Sequence, residues 1–174
     1  MNEPILKFNN LIVKRGKGKN KFQLKLKPLC INKGEKIAIT GASGSGKTTF
    51  LEGICGLHEI EGDITIGKHK INELDQQERA LLRREIIGLV FQNFELIDYL
   101  NAVDNIQVTQ LLNPSGDNDY LKKSLKLLTK MGIKKKAYCL PDTLSHGEKQ
   151  RVSICRALIK NPVLIIADEP TASL

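Results

Sequence analysis

Residues 36–57 read KIAITGASGSGKTTFLEGICGL, and this stretch decides the fold. The alternation of apolar residues before the glycines predicts a strand over 36–40. The apolar spacing after them predicts a helix over 48–57 that ends near Gly56. A strand, a glycine-rich loop and a helix in this order indicate an α/β fold.

The loop itself satisfies the spacing G-x-x-x-x-G-K-[ST], which is typical of a phosphate-binding loop. Glycines let backbone N–H groups approach a phosphate, and the start of the helix adds positive potential. Lys47 supplies a point charge for the outer phosphates, and the Thr48 hydroxyl suits Mg²⁺, which prefers oxygen ligands. The motif by itself indicates a nucleoside triphosphate and leaves motor, GTPase, kinase and transporter ATPase open. The loop residues that we assign to binding this nucleotide are Gly41, Ser43, Gly44, Ser45, Gly46, Lys47, Thr48 and Thr49.

Before and after the loop, the chain alternates between strand and helix patterns. Gly16 and Gly18 indicate a turn between two strands, and the second strand directs Phe22 toward a core. The predicted strands are 5–13, 22–26, 63–66 bracketed by Gly62 and Gly67, and 86–91, and residues 74–84 form a charged helix.

The second half of the chain reads as a helical insertion followed by a strand. Helices are predicted over 102–112 and 120–131, separated by a loop around Pro114, Ser115 and Gly116. Ser145 is a suitable N-cap for a helix that runs to about Lys160. Residues 163–167 have the composition of a fully buried parallel strand, with Asp168 and Glu169 just past its carboxyl end. Open α/β sheets bind ligands at that edge, so this acid pair is a candidate for catalysis.

Composition excludes several classes of protein. The 174 residues include 27 Lys and Arg against 19 Asp and Glu, a net charge of +8. The longest apolar run, 163–167, is far shorter than the roughly 20 residues that cross a bilayer, and residues 1–20 contain no apolar leader, so we expect a cytoplasmic protein. The lysines are expected on solvated faces and have no interleaved aromatic residues, which argues against a nucleic acid partner. Four scattered cysteines are expected to be buried, reduced thiols: Cys30, Cys55, Cys139 and Cys155.

Three further motifs resemble those of the ATP-binding cassette (ABC) family, the nucleotide-binding subunits of ABC transporters. LVFQNFEL at 89–96 resembles the Q-loop, LSHGEKQR at 144–151 the signature motif, and VLIIADEPTASL at 163–174 the Walker B motif with the start of the D-loop. The match is collinear over nearly the whole chain. It implies a P-loop NTPase of the ABC-cassette fold with an N-terminal antiparallel β subdomain and a helical subdomain insertion.

The resemblance also implies roles for individual residues. In the family, two subunits pair head to tail, so Ser145 and Gly147 would meet the γ-phosphate held by a partner chain. Asp168 would reach Mg²⁺ and Glu169 would polarise the attacking water. Gln92 would serve both metal binding and catalysis. Since Lys47 acts on the same phosphates, the implied catalytic set is Glu169, Gln92 and Lys47, and the implied metal set is Thr48, Gln92 and Asp168.

Within the family, the chain is most similar to the group of lipoprotein-release, macrolide-export and cell-division ATPases. That likeness implies ATP hydrolysis that drives a membrane-spanning partner from the cytoplasmic face of the cell membrane. An apolar cluster is suited to gripping such a partner, although packing in the local core explains it equally well: Phe91, Phe94, Leu96, Ile97, Tyr99 and Leu100. The implied portions of a single domain over 1–174 are antiparallel β at 1–40 and 58–72, P-loop core at 41–57, 73–92 and 161–174, and helical subdomain at 93–160.

The chain departs from the family pattern at three places. Residues 14–21 lack the aromatic residue that stacks on adenine, and Phe22 is the only nearby substitute. His146 replaces the first glycine of the signature. No residue can match the switch histidine that follows the D-loop, which predicts an incomplete central sheet and a truncated chain. A hydrolysis-deficient nucleotide-binding module and a soluble, non-transport cassette ATPase therefore remain alternatives.

Overall fold

The computed structural model describes residues 4–16, 22–111 and 119–169, without the side chains of Thr109 and Leu111. These residues form two compact units, within 1–85 and 86–174. The predicted loop around Pro114, the Gly18 turn and the residues after Glu169 lie outside the described part. Among the residues that the structure describes, no helix is long and apolar enough to cross a bilayer.

The first unit contains an antiparallel sheet of five strands. The strands are β1 Pro4–Arg15, β2 Phe22–Leu26, β3 Leu29–Asn32, β4 Glu59–Ile66 and β5 His69–Lys70. The long strand β1 pairs with β2 and β3 on one side and with β4 on the other, and β5 extends the sheet beyond β4. Three strands, β1, β2 and β4, were predicted at or near these positions, whereas β3 and β5 were not.

A bulge in β1 explains how its apolar residues reach one core. Leu6 and Phe8 are buried, and then the inward positions change parity to Leu11 and Val13. The register against β4 shifts between Asn9 and Ile12, and Asn10 has a positive φ of 46°. Gly62 of β4 faces this bulge with a φ of 100°, and an added Cβ would lie 2.8 Å from the Asn10 carbonyl oxygen. The prediction that Gly62 precedes the strand was therefore wrong: it lies inside a longer strand, because only glycine allows this close approach.

Helix α1, Lys47–Ile54, packs on this sheet and begins at the glycine-rich loop. Phe50 and Ile54 enter the core, and the Phe50 ring meets Phe8 edge-on with centroids 6.1 Å apart. The helix ends at Cys55 and Gly56, whose φ of 65° forms a glycine C-cap. The predicted end near Gly56 is confirmed. Helix α2, Gln76–Ile86, follows a short 3₁₀ turn at Ile71–Glu73.

The strand predicted over 36–40 does not form in the structure. These residues have no regular secondary structure, and Ile37 and Ile39 are exposed. A strand requires hydrogen bonds to a neighbour, and within the described ranges no strand pairs with this segment. The apolar alternation was read correctly, but alternation alone does not supply the pairing partner.

The second unit combines two parallel strands with three helices. Strands β6, Ile87–Val90, and β7, Leu164–Ala167, pair in parallel. The helices are α3 Ala102–Leu111, α4 Tyr120–Lys130 and α5 His146–Leu158, with short 3₁₀ turns at Lys134–Lys136 and Pro141–Thr143. The three helices enclose one apolar cluster that includes Val103, Ile106, Leu128, Val152 and Cys155. The predicted helices are thus confirmed to within one or two residues.

The prediction that 163–167 is fully buried was wrong. Only Ile166 is buried within β7, and Ile165 is 51% exposed. Successive side chains of a strand point to opposite faces, so a strand is buried throughout only when both faces are covered. In the part of the chain that the structure describes, only the face of β7 that contains Ile166 is covered.

The four cysteines are free, as predicted, but they differ in burial. Cys55 and Cys155 are buried, and burial raises the pKa of each thiol to about 12. Cys139 is half-buried. Cys30 is exposed on β3, so the expectation of a buried thiol was wrong there, because β3 had not been predicted as an outer strand.

Candidate functional site

The glycine-rich loop forms a compact cradle at the start of α1. Lys47 Nζ reaches back across the loop and donates to the carbonyl oxygens of Gly41 at 2.9 Å and Ala42 at 3.0 Å. Gly44 and Gly46 have positive φ values of 76° and 95°. A Cβ on Gly41 would lie 2.7 Å from Ser45 Oγ, so a side chain there would displace the Ser45 hydroxyl group. The ammonium group is therefore held at the loop itself.

The two threonines of the loop are placed differently. Thr48 is exposed at the first turn of α1, as the assignment to a metal requires. Thr49 is buried, and Arg15 Nη1 lies 3.5 Å from its hydroxyl oxygen. The same guanidinium is 3.7 Å from Glu52 Oε2, which also contacts His58 Nε2 at 2.8 Å. The Thr49 side chain thus connects α1 to β1. The backbone of Thr49, rather than its side chain, is available to bind phosphate.

Phe22 lies beside the loop, contrary to the prediction that it faces a core. The ring is 44% exposed, and its Cζ atom is 3.7 Å from the point where a Cβ on Gly46 would stand. Leu24 is closer still, at 3.2 Å from that point. The outcome differs because Phe22 is at the end of β2, where the sheet borders the loop. An aromatic face next to a phosphate cradle is suited to stacking on a base.

In the second unit, the Q-loop and Walker B candidates meet at one edge of the parallel strands. Gln92 follows β6 and Glu169 follows β7, and the carboxyl ends of parallel strands lie together. Gln92 Nε2 donates to Glu169 Oε2 at 2.8 Å. Asp168 N donates to the Val90 carbonyl oxygen at 3.0 Å, which extends the strand pairing to the acid pair. Glu169 has a positive φ of 47°, so its backbone leaves the strand direction at this point.

Ser145 and Gly147 begin α5, as predicted. Ser145 is the N-cap: its Oγ accepts from Glu148 N at 3.3 Å, and its own backbone N donates to Glu148 Oε2 at 2.8 Å. This capping box fixes the first turn. The backbone hydrogen bond from Ser145 holds the pKa of Glu148 below its ordinary value. Glu148 is therefore an anion at neutral pH and belongs to the cap, which leaves Ser145 and Gly147 at the end of the helix.

Arg156 and His146 of α5 contact the turn after Gln92, and the sequence did not predict these contacts. Phe94 and Glu95 both have positive φ, at 62° and 47°, and Arg156 of α5 donates to both of their carbonyl oxygens. The Phe94 ring packs edge-on against His146, with centroids 4.6 Å apart. A non-glycine residue at positive φ costs energy, and these contacts stabilise the turn against that cost. No local pattern indicates Arg156, since its partners are 61 and 62 positions away.

A pocket of about 240 Å³ lies beside this turn. Its lining includes Phe94, Leu96, Pro141 and His146 together with Asp98 and Lys149. The ring of His146, which replaces the first glycine of the signature, is directed toward Phe94. The apolar cluster predicted at 91–100 divides: Phe94 is buried and Leu96 packs on the core, whereas Phe91 and Tyr99 are exposed, Tyr99 by 82%.

A glycine-rich loop opening a helix, an acid pair ending a parallel strand and a capped signature helix define a nucleotide-binding cassette. The family model described as "ABC transporter" matches residues 24–172. The chain therefore belongs to the ABC transporter family. The prediction of an α/β ABC-cassette fold is confirmed.

Relatives whose names state a function support this assignment. Over 148 residues, the chain is 43% identical to the lipoprotein-releasing system ATP-binding protein LolD 1 of Rhodospirillum rubrum, covering 84% of this chain and 65% of that protein. It is 40% identical to the macrolide export ATP-binding/permease protein MacB of Burkholderia pseudomallei, with 84% of this chain and 22% of that protein covered. The solved ATP-binding cassette MJ0796, a dimer in a post-hydrolysis state bound to ADP and Pi, superposes with a TM-score of 0.86 at 37% identity, over 97% of this chain and 75% of that one.

Proposed function

We propose that this chain is the ATP-binding subunit of an ABC transporter, which binds and hydrolyses Mg·ATP in a head-to-tail dimer to drive a membrane partner. The observation that carries the proposal is the loop at 41–48, where Lys47 is held at the carbonyl groups of Gly41 and Ala42 at the start of α1. An ammonium group and a helix N-terminus at one place form a site for a triphosphate. Phe22 beside Gly46 supplies a ring on which adenine stacks.

The residues proposed for Mg²⁺ offer the oxygen donors that this ion prefers. They are the exposed Thr48 hydroxyl, the Asp168 carboxylate and the amide oxygen of Gln92, whose nitrogen is directed to Glu169. The loop binds phosphates, and the metal neutralises their charge when it is bound. That the loop and the acid pair act on one nucleotide remains a prediction.

Nucleotide binding is tested by titrating a fluorescent ATP analogue into the Lys47→Ala variant. A hydrogen bond from a charged group is worth about 1.5 to 3 kcal/mol, so we expect a loss of affinity of about 10- to 100-fold. Lys33→Ala is the matched control, because Lys33 is an exposed lysine of the same unit outside the loop, and its affinity should be unchanged. Equal affinities of all three proteins, or no binding at about 1 mM ATP, would refute nucleotide binding at this loop.

Hydrolysis requires Glu169 to polarise water, and the hydrogen bond from Gln92 engages that carboxylate in this structure. This contact favours a second candidate, a module that binds ATP without turnover. Steady-state phosphate release distinguishes the two. The first candidate predicts release above the Lys47→Ala background and its loss in Glu169→Gln, which still binds ATP. Release at the background level in the unsubstituted protein supports the second.

The head-to-tail dimer is tested at Gly147. A Cβ there would meet only Arg151 Nη2, at 3.8 Å, so Gly147→Ala leaves the fold of the subunit intact. The added methyl group would occupy the helix end that we propose to face the partner's γ-phosphate. In the Glu169→Gln background, we expect ATP to produce a dimer in size-exclusion chromatography and Gly147→Ala to prevent it. An unimpaired dimer would exclude this helix end from the interface.

For the membrane partner, we propose contact with the exposed side chains Phe91 and Tyr99 and with the pocket lined by Phe94 and His146. Such contact would place the subunit on the cytoplasmic face of the cell membrane. We also propose that 41–57, 73–92 and 161–174 form the P-loop core and that 93–160 form the helical subdomain. The likeness to a macrolide export ATP-binding/permease protein favours a transport role over a soluble cassette.

A further inference from the structure

Two stretches of this protein are basic and contain no acid: residues 4–34, with nine Lys and Arg, and a shorter segment in the second half of the chain. Residues 120–141 contain seven lysines and no Asp or Glu. Of the 27 Lys and Arg in the chain, 20 therefore lie elsewhere, against all 19 Asp and Glu. The segment thus carries +7 of the net charge of +8, and the remainder of the chain is close to neutral.

Helix α4 separates these lysines from the core. Its inner side contributes Leu128, fully buried, and Leu125 and Leu127, packed against the apolar cluster of the second unit. At 3.6 residues per turn, Lys122 and Lys126 fall on the opposite side of the helix. We define the lysine face as the three exposed lysines of α4 with the first two of the following 3₁₀ turn: Lys122, Lys126, Lys130, Lys134 and Lys135.

Within the described residues, none of these five lysines forms an ion pair with a carboxylate. Lys136 is 3.7 Å from Glu148 and is excluded from the face for that reason. Lys123 is excluded as well, because it lies over the Tyr120 ring, with Nζ 5.1 Å from the centroid, and has a further partner. Exposed apolar side chains border the lysines in the chain: Leu121, Tyr138, 68% exposed, and Leu140.

We propose that the lysine face docks on an anionic phospholipid surface. A cluster of lysines on the polar side of an amphipathic helix is attracted to anionic headgroups, and bordering Tyr and Leu side chains suit the interfacial region. Recognition of nucleic acid favours arginine, whose planar group binds phosphates and bases in pairs of hydrogen bonds, and the lysine face contains none. Contact with lipid requires neither ATP nor a protein partner, so it goes beyond the proposed function and can fail independently of it.

The size of the effect follows from the number of lysines. Each lysine near an anionic surface raises the partition coefficient about fivefold at moderate ionic strength. Replacing three of them should therefore lower partitioning by about 100-fold. Because exposed charges are screened over a Debye length of about 10 Å at 0.1 M salt and about 3 Å at 1 M, high salt should release the protein.

The experiment measures co-sedimentation of the full chain with vesicles of phosphatidylcholine alone or with about one third phosphatidylglycerol, at about 0.1 M salt. The test variant is Lys122→Gln/Lys126→Gln/Lys130→Gln. The matched control, Lys25→Gln/Lys27→Gln/Lys68→Gln, removes the same charge from exposed positions of the first unit. Replacement of the three α4 lysines by arginine should restore binding, and circular dichroism checks that every variant is folded.

We expect strong preference for the anionic vesicles, a loss of about 100-fold in the test variant and a loss of less than about fivefold in the control. Equal binding to both kinds of vesicle would overturn the proposal. So would equal losses in the test and control variants, which would indicate attraction by net charge alone. Tighter, lysine-dependent binding to a duplex oligonucleotide than to anionic vesicles would also overturn it and assign the face to nucleic acid.

Discussion

Replacing Asn105 should destabilise the second unit, because this one amide organises the loop after the Q-loop. Asn105 lies in α3 and is 0% exposed. Its Oδ1 accepts from Ile97 N at 2.7 Å, and its Nδ2 donates to the carbonyl oxygens of Ile97, Leu100 and Asn101 at 3.0, 2.8 and 3.2 Å. These contacts hold the loop over 97–101, on which Tyr99 is exposed.

The expected cost of Asn105→Ala follows from these four contacts. Two N–H groups and one oxygen amount to about three full hydrogen bonds, each worth about 1 kcal/mol. The Ile97 N–H group is left without its acceptor, which adds about 1 kcal/mol or more. We therefore expect a loss of about 4 kcal/mol in the free energy of unfolding, a large share of a typical total of about 5 to 15. Asn105→Asp should cost at least as much, because its carboxylate faces three carbonyl oxygens.

Urea unfolding followed by circular dichroism measures this loss. Gln107→Ala is the matched control, since Gln107 is a half-buried amide of the same helix and should change stability by less than about 0.5 kcal/mol. Hydrogen exchange should also become faster at the Ile97 amide. A loss below about 1 kcal/mol for Asn105→Ala, or unchanged exchange at Ile97, would refute the reasoning that this amide holds the loop.

Three other predictions concern packing, thiol chemistry and pH. Gly53→Ala should lower stability in urea by about 1 to 2 kcal/mol despite better helix propensity, because its Cβ would lie 2.5 Å from Val13 Cγ2; a gain would contradict the close packing. A thiol reagent should label Cys30 in the native protein and reach Cys155, with its pKa near 12, only on unfolding, so rapid labelling of both would contradict the burial. The lowered pKa of Glu148 gives stability that is present above its unfolded pKa and lost as the pH falls below about 4. Glu148→Gln should therefore flatten this acid limb of a urea-midpoint profile, and an identical limb would show that the carboxylate is not involved.

Features of the candidate site that depend on local sequence could be predicted. Ser145 was predicted as the N-cap of α5, and the structure confirms this and adds a capping box with Glu148. Gly56 as a helix end follows from the same kind of rule. The position of Phe22 was predicted wrongly, because alternation within β2 does not reveal that its end borders the phosphate loop.

Local sequence patterns were sufficient to predict the phosphate loop, the helix that follows it, the acid pair past an apolar strand and the capped α5. Each of these features depends on residues that are a few positions apart. Only the tertiary structure decided which of the predicted strands would pair, that Gln92 binds Glu169 and that Arg156 holds the turn at Phe94 and Glu95. Those partners are separated by 61 to 77 positions in the chain. Chain spacing carries no information on such distant contacts, since they form only when packing of the whole unit brings the segments together.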